Sequence, residues 1–194
     1  MSDSWDDYAE DWDANSDVID YAQKAFDSLC PVIDLDGLRV LDFGCGTGLL
    51  TEKIATLAAT VLAIDSSSKM IEVLSDKRLT NVNVLAYDIT DKAHGAKPIL
   101  AAEFDLIVAS SVFSFVPNYE QTLTVLKSLL KPSGLLVQWD WKSTDSAADL
   151  GFTEKAIRDC CSNVGFTLVE LNTAFSQSSK RGSTDVIMAV AKNT

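Results

Sequence analysis

A glycine-rich segment followed by a distant carboxylate is the clearest candidate for chemistry in this sequence. Residues Val40–Leu50 read VLDFGCGTGLL and lie where a predicted strand ends and a predicted helix begins. Glycines at such a turn let the backbone bend sharply and let a ligand approach the main chain. Asp65 follows 21 residues after Gly44, at the end of the next predicted strand. An acid there reaches both hydroxyls of a ribose, so we predict a nucleoside-type cofactor.

The spacing inside this glycine loop separates two classes of nucleoside cofactor. The dinucleotide fingerprint is G-x-G-x-x-G, but here the third glycine comes one position early and Leu49 stands in its place. Asp42, two residues before the first glycine, puts an anion beside the loop. That charge disfavours a pyrophosphate and suits a cation, or it can hold loop amides by hydrogen bonds. A nicotinamide-dependent oxidoreductase is therefore the weaker alternative, and a glycine turn that binds nothing is the purely structural one.

Short apolar stretches and amphipathic stretches alternate along the chain that must position these residues. Strands are predicted at 39–43, 61–64, 82–87, 104–109 and 135–139, and helices at about 49–59, 68–77, 118–130 and 153–163. This alternation predicts an α/β fold, doubly wound, with a mostly parallel sheet and helices on both faces. The last two strands, 166–171 and 185–191, are joined by a Ser-rich connection over 172–184. It is too short for a crossover helix, so we predict an antiparallel hairpin.

The amino-terminal arm (residues 1–13) is aromatic and acidic. Its aromatic residues are spaced three and four apart, which predicts one helical face: Trp5, Tyr8 and Trp12. Six carboxylates accompany them without any Lys or Arg, so the arm is expected to be loosely held until a ligand orders it. A helix over 17–29 follows, with Ser16 as its predicted N-cap.

Charge and cysteine usage exclude several classes of function. Sixteen basic against 28 acidic residues give a net charge of −12, which disfavours nucleic-acid and anionic-membrane partners. The longest apolar run is six residues, Val186–Ala191, whereas a membrane-spanning helix needs about 20. Eight carboxylates and no basic residue in 1–20 are unlike a signal peptide, so a cytoplasmic protein is expected. Four cysteines without C-x-x-C spacing and a single histidine, His94, predict no metal site.

Five segments in order resemble the motifs of class I S-adenosylmethionine-dependent methyltransferases of the small-molecule type. They are Leu41–Gly48, Ala63–Ser67, Leu85–Ile89, Phe104–Ser111 and Leu130–Leu136. The resemblance implies a Rossmann-like, seven-stranded sheet whose last strand is antiparallel. It also implies a single domain over 1–194, with the catalytic core at 38–194 and residues 1–30 acting as an arm and lid. S-adenosylmethionine (SAM) is the implied cofactor, S-adenosylhomocysteine (SAH) the product, and no metal is implied.

The same resemblance assigns roles to individual positions. It implies that Asp65 binds the ribose, that Asp88 accepts from the adenine amino group, and that the Ile89 amide faces the ring. Tyr8 and Trp12 are implied to fold over the cofactor, although an acidic tail pinned by its aromatics explains them equally well. The full set of implied cofactor-binding residues is Asp42, Gly44, Cys45, Gly46, Thr47, Gly48, Asp65, Ser66, Met70, Asp88, Ile89, Ser110, Tyr8 and Trp12.

Methyl transfer from a sulfonium requires alignment in a dry pocket more than a general base. The weak catalytic candidates are Asp140, Ser114 and Tyr8. Asp140 could orient or deprotonate an acceptor, or cap the loop that follows it. Ser114 stands where family members often carry a histidine, which argues against a histidine base there.

The expected function is methyl transfer to a small molecule, with the acceptor atom left open. Specificity is expected to come from the arm, the 110–118 and 139–152 loops, and 172–184. The Asn/Asp-Pro-Pro-Tyr/Phe motif of nucleic-acid methylating members is absent. A non-catalytic cofactor-binding regulator and a protein methyltransferase remain as alternatives on the same fold.

Overall fold

The computed structural model describes residues 5–90, 103–143, 151–179 and 182–194. Its strands are β1 Arg39–Phe43, β2 Thr60–Asp65, β3 Val82–Ala86, β4 Phe104–Ser110, β5 Leu130–Trp141, β6 Phe166–Ser179 and β7 Gly182–Asn193. Its helices are α1 Ser16–Leu29, α2 Leu49–Ala55, α3 Ser68–Asp76, α4 Tyr119–Leu129 and α5 Glu154–Val164. His94 and part of the 139–152 loop lie outside the described residues. No helix among the described residues combines the length and apolarity needed to cross a membrane.

The strands form a seven-stranded sheet in the order β3-β2-β1-β4-β5-β7-β6. β1 pairs with β2, β2 with β3 and β4 with β5 in parallel, whereas β7 runs antiparallel to both β5 and β6. The predicted fold class, including the antiparallel hairpin at the end of the chain, is confirmed. Residue contacts divide the chain into two compact units, Met1–Asp88 and Ile89–Thr194, and the single-domain reading stays a prediction.

The first unit is built on apolar strands between helices. β1 and β2 are buried almost throughout, which a strand in the interior of a parallel sheet requires. α1 begins at Ser16, and the side chain of Asn15 accepts a hydrogen bond from the Asp17 amide at 3.0 Å. The predicted N-cap Ser16 is therefore wrong by one residue: Asn15 has the extended backbone that leaves its oxygen free to cap. α2 ends at Ala55, earlier than predicted.

The second unit corrects the prediction for 172–184. Most of this segment is strand rather than connection: β6 continues to Ser179 and β7 begins at Gly182. Polar residues pair across this end of the hairpin, for instance Gln177 with Thr184 and Ser178 with Ser183. The segment lacks apolar alternation because much of it is exposed, and the hydrophobic pattern on which a strand prediction relies is therefore missing.

Candidate cofactor site

The glycine loop is held against the end of the neighbouring strand. The amides of Gly44 and Cys45 both donate to the Ile64 carbonyl, at 2.8 and 3.0 Å. Gly44, Gly46 and Gly48 all have positive φ angles, of 70°, 54° and 86°. Residues with a Cβ rarely adopt such angles, so the loop conformation accounts for all three glycines.

Gly46 and Gly48 face different surroundings, and this separates their roles. A Cβ on Gly48 would lie 2.3 Å from the Cδ1 atom of Leu74 on α3, so helix and loop pack too closely for a side chain. Among the described residues, a Cβ on Gly46 would meet only the Trp12 indole nitrogen within 4 Å, at 3.9 Å. Gly48 therefore serves packing, whereas Gly46 leaves open space between loop and arm.

Asp65 organises the loop as well as ending β2. Its Oδ2 accepts from the Gly46 amide at 2.9 Å and its Oδ1 accepts from the Ser67 amide at 2.8 Å. Burial raises the pKa of this carboxyl, and hydrogen bonds from the amides of Ser67, Gly46 and Ser66 oppose that effect. A carboxylate offers about four lone-pair positions, so these contacts do not exhaust its capacity to accept.

Asp42 is buried at 1 % exposure beneath the loop. Its Oδ2 accepts from the Thr51 hydroxyl at 2.6 Å. Burial raises the pKa of Asp42 to about 7, the Thr51 hydrogen bond opposes this, and the nearby Asp65 carboxylate adds to it. Of the two acids, it is Asp65 that holds the Gly46 amide. Thr51 went unnoticed in the sequence, although its position early in the following helix was a usable signal.

Two other loop side chains are turned toward the protein. The Thr47 hydroxyl donates to the Asp13 carboxylate of the arm, and Thr47 is buried at 1 % exposure. Burial raises the pKa of the Cys45 thiol well above its ordinary value, and the Asp42 and Asp65 carboxylates reinforce the shift. Cys45 is therefore a protonated small side chain in the loop and not a reactive thiolate.

Polar contacts hold the arm against the first unit, contrary to the expectation that no cation offsets its charge. Lys77 lies 2.7 Å from the Asp13 carboxylate and 3.1 Å from that of Glu52. At the other end of the arm, Asp6 accepts from the Ser67 hydroxyl at 2.5 Å and from the Lys69 amide at 3.3 Å. Two acids of the arm thus bind the two ends of α3, and Asp13 also binds the glycine loop through Thr47. These contacts join residues more than 30 positions apart, and the sequence carries no signal for them.

The arm is not one helix, which corrects the prediction of a single helical face. It forms two short 3₁₀ turns, Trp5–Tyr8 and Trp12–Ala14. The aromatic side chains nevertheless cluster: the Trp5 ring lies 6.0 Å from Tyr8 and 5.9 Å from Trp12, edge-on to the latter. Tyr8 is 48 % exposed, so it presents an aromatic face to solvent.

The other predicted residues of the first unit lie on the same strand ends or in α3. Ser66 is exposed and follows Asp65 directly, whereas Met70 is buried in the first turn of α3. The Tyr87 amide donates to the Asp65 carbonyl at 2.8 Å, which extends the pairing of β2 and β3 and brings Asp88 to this edge of the sheet. Asp88 is half-buried, and so is Ile89, the first residue of the second unit.

The remaining candidates belong to the second unit. Ser110 ends β4 opposite Trp139, and Ser114 lies in a 3₁₀ turn, Phe113–Phe115. Asp140 is fully buried near the end of β5, and burial raises its pKa well above the ordinary value. The role of Asp140 toward an acceptor stays a prediction. Among the described residues, no group of three His, Cys, Asp or Glu side chains is arranged to hold a metal ion.

The comparisons with known proteins identify the family. A family model described as a methyltransferase domain matches residues 41–136, the stretch that runs from β1 into β5. The chain belongs to the class I S-adenosylmethionine-dependent methyltransferases. A ubiquinone biosynthesis O-methyltransferase of Agrobacterium fabrum is 36% identical over 104 residues, which cover 53% of this chain and 40% of that protein. The match thus spans less than half of that relative.

Two solved structures with bound SAM share the fold. The DhpI–SAM–HEP complex superposes with a TM-score of 0.76 at 18% identity and covers 96% of this chain and 93% of its own. The magnesium protoporphyrin IX methyltransferase of Synechocystis PCC 6803 with bound SAM gives a TM-score of 0.66 at 20% identity, covering 90% and 79%. At these identities the likeness concerns the fold alone.

Proposed function

We propose that this protein transfers the methyl group of SAM to a small-molecule acceptor. The observation that carries the proposal is the pair of acids at the glycine loop, Asp42 and Asp65, beside the open space at Gly46. The backbone donors of the glycine loop, the two carboxyls and the aromatic arm all belong to the first unit. Relatives that act on small molecules, such as the Agrobacterium fabrum protein, support the same class of acceptor.

The charge of the loop region favours a cationic cofactor over an anionic one. Burial makes both Asp42 and Asp65 costly to ionise, and the Asp65 carboxylate adds to that cost for Asp42. A ligand bearing a sulfonium and an ammonium group relieves that cost, because opposite charge favours the ionised carboxyl. A pyrophosphate increases it. The electrostatics therefore support SAM over a dinucleotide.

Each part of the loop region has a proposed role toward this cofactor. Asp65 accepts from the ribose hydroxyls while it keeps the Gly46 amide in place, and Asp88 accepts from the adenine amino group. Gly46 allows the cofactor to approach the main chain. The arm closes over the ligand as a lid, with Tyr8 and Trp12 supplying aromatic faces.

The chemistry needs little from side chains. The acceptor attacks the methyl carbon in line, the carbon–sulfur bond breaks, and its electron pair stays on the sulfur of SAH. The protein has to align the two reactants and exclude water. Deprotonation matters only for acceptors that keep their proton at neutral pH. The acceptor atom is left open.

Calorimetric binding of SAH, with NADH as the competing cofactor class, tests the first half of the proposal. We expect SAH to bind and NADH not to bind; the reverse result overturns it. Turnover is then measured as SAH formed from SAM with catechol, benzylamine, thiophenol and phenylacetate, which offer O, N, S and carboxylate acceptors. Binding of SAH without turnover of any acceptor class would favour a non-catalytic role.

A further inference from the structure

The chain segment that follows β4 is tied to β5 at three successive residues of that strand. We refer to this segment, Ser111–Tyr119, as the β4 turn. The Ser111 amide donates to the Trp139 carbonyl at 2.7 Å, and the Tyr119 hydroxyl donates to Gln138 Oε1 at 2.6 Å. Between them, the Phe113 amide hydrogen-bonds the Asp140 carboxyl. The β4 turn thus makes three hydrogen bonds to β5, one to a main-chain carbonyl and two to side chains.

These contacts hold a backbone that is strained. Ser111 has φ 55°, in the left-handed region that a serine rarely adopts. Such a residue persists only where its surroundings determine the conformation, and it is commonest near functional sites. The rings of the segment add packing: Tyr119 lies 5.0 Å from Phe113 and 4.8 Å from Phe152. Phe115, in contrast, is 45 % exposed on the same turn.

The side chains of Tyr119, Gln138 and Asp140 form a hydrogen-bonded row, and Asp140 lies at one end of it. Gln138 Nε2 donates to Asp140 Oδ2 at 3.0 Å, and both side chains are fully buried. Asp140 Oδ1 has no hydrogen-bond partner among the described residues. Among the described residues, the titratable groups that act on Tyr119 of α4 are Asp140 and the α5 cysteines Cys160 and Cys161, and none of these carries a positive charge to balance an ionised acid. Lys142, which directly follows β5, pairs instead with Glu154 at 3.1 Å.

The row has two proton arrangements with the same heavy atoms. With Asp140 ionised, Gln138 donates to it and Tyr119 donates to Gln138. With Asp140 protonated, the Gln138 amide turns over: Asp140 donates to the amide oxygen, and the amide nitrogen donates to Tyr119. The second arrangement leaves no buried charge unbalanced, and burial favours it by raising the pKa of Asp140.

We propose that Asp140 and Gln138 are positioning residues that fix the β4 turn, through Phe113 and Tyr119, as a preorganised wall for the methyl acceptor. That a methyl acceptor binds here rests on the proposed function. The carboxyl ends of parallel strands are where open α/β sheets bind ligands, and β4 and β5 both end here. Phe115 offers the acceptor an apolar face. Asp140 works by hydrogen bonding and does not remove a proton from the acceptor.

Asparagine at position 140 is the decisive substitution, because it has one donor and one acceptor, as the protonated acid has. In Asp140→Asn, we expect the exchange rate of the Phe113 amide and the rate of SAH formation to stay within about threefold of wild type. In Asp140→Ala, the Phe113 amide should exchange about tenfold faster and SAH formation should fall about tenfold. Tyr119→Phe should give a smaller change in the same direction, and Thr124→Ala, on the exposed side of α4, should change neither.

Two results overturn the proposal. One is unchanged Phe113 exchange in Asp140→Ala, or in Tyr119→Phe if the alanine variant does not fold. The other is an Asp140→Asn variant that loses turnover about a hundredfold while Phe113 exchange and SAH affinity stay normal, because that pattern identifies a base. The exchange measurement needs no acceptor. If wild type turns over nothing, the proposed function fails, and the exchange rates still decide whether this row fixes the turn.

Discussion

The glycine loop of the first unit and the β4 turn of the second each follow the end of a strand, and in each a main-chain amide donates to an aspartate, Gly46 to Asp65 and Phe113 to Asp140. The remaining contacts differ. In the glycine loop, main-chain amides donate to Asp65 and to the Ile64 carbonyl, and glycines absorb the positive φ angles. In the β4 turn, side chains form the row and a serine carries the strained angle. Recognition by backbone suits a cofactor that never changes, whereas a side-chain row can be altered residue by residue for a different acceptor.

The largest expected effect comes from removing the carboxylate that holds the loop. Asp65→Ala should weaken SAH binding by about 2–4 kcal/mol, because it loses charge-assisted bonds to the ribose and leaves the Gly46 amide unheld. Isothermal calorimetry on the folded variant measures this. The control is Glu72→Gln, which removes an exposed carboxylate from α3. Glu72 pairs with Lys69 at 3.7 Å, and its loss should leave SAH affinity unchanged. Normal affinity in Asp65→Ala would remove the ribose assignment.

A comparison of glycine substitutions separates ligand approach from packing. Gly48→Ala should lose about 1–3 kcal/mol of unfolding free energy, because the positive φ and the contact with Leu74 both oppose a side chain. Gly37 has a similar φ of 74°, and no atom of the described part of the chain would lie within 4 Å of its added Cβ, so Gly37→Ala measures the backbone cost. Gly46→Val should abolish SAH binding while the protein still unfolds cooperatively. A Gly46→Val variant that binds SAH normally would show that the cofactor does not approach there.

The raised pKa of Asp42 predicts how stability depends on pH. The folded protein holds this proton up to about pH 7, whereas an unfolded aspartate releases it near pH 4. Stability should therefore fall as the pH rises from about 4 to 7, and this contribution should level off above about pH 8. Urea unfolding at pH 5, 6, 7 and 8 should show a shallower fall for Asp42→Asn than for wild type. Asp36→Asn, at an exposed site, should match wild type; parallel curves for wild type and Asp42→Asn would contradict the assignment.

The smallest expected effect concerns the arm. Asp13→Asn weakens the contacts to Lys77 and Thr47, which are partly exposed and so contribute about 1 kcal/mol or less. We expect faster proteolysis near Trp12 and a modest loss of SAH affinity. Asp11→Asn, exposed in the same segment, is the control. In wild type, added SAH should slow cleavage; equal rates with and without SAH would mean that the arm is no lid.

The sequence alone determined the framework of the cofactor side. Strand β1 was predicted at its observed bounds, and Asp65 was assigned to the end of β2, because buried strands and glycine turns leave local patterns. The antiparallel end of the sheet also followed from the length of one connection. The polar half of the hairpin did not, since Asn172–Ser179 carries no apolar period to reveal a strand.

Tertiary structure alone decided which charges meet. Lys77 reaches Asp13 across 64 positions of sequence, and Asp6 reaches the beginning of α3, although the arm by itself looks like mutually repelling acids. The environment of Asp140 is the clearest instance. Its residue type suggested a base or a loop cap, whereas its complete burial, which raises its pKa well above the ordinary value, is visible only in the fold. Residue types and their spacing report local backbone preferences, whereas ionisation depends on what surrounds a group in space.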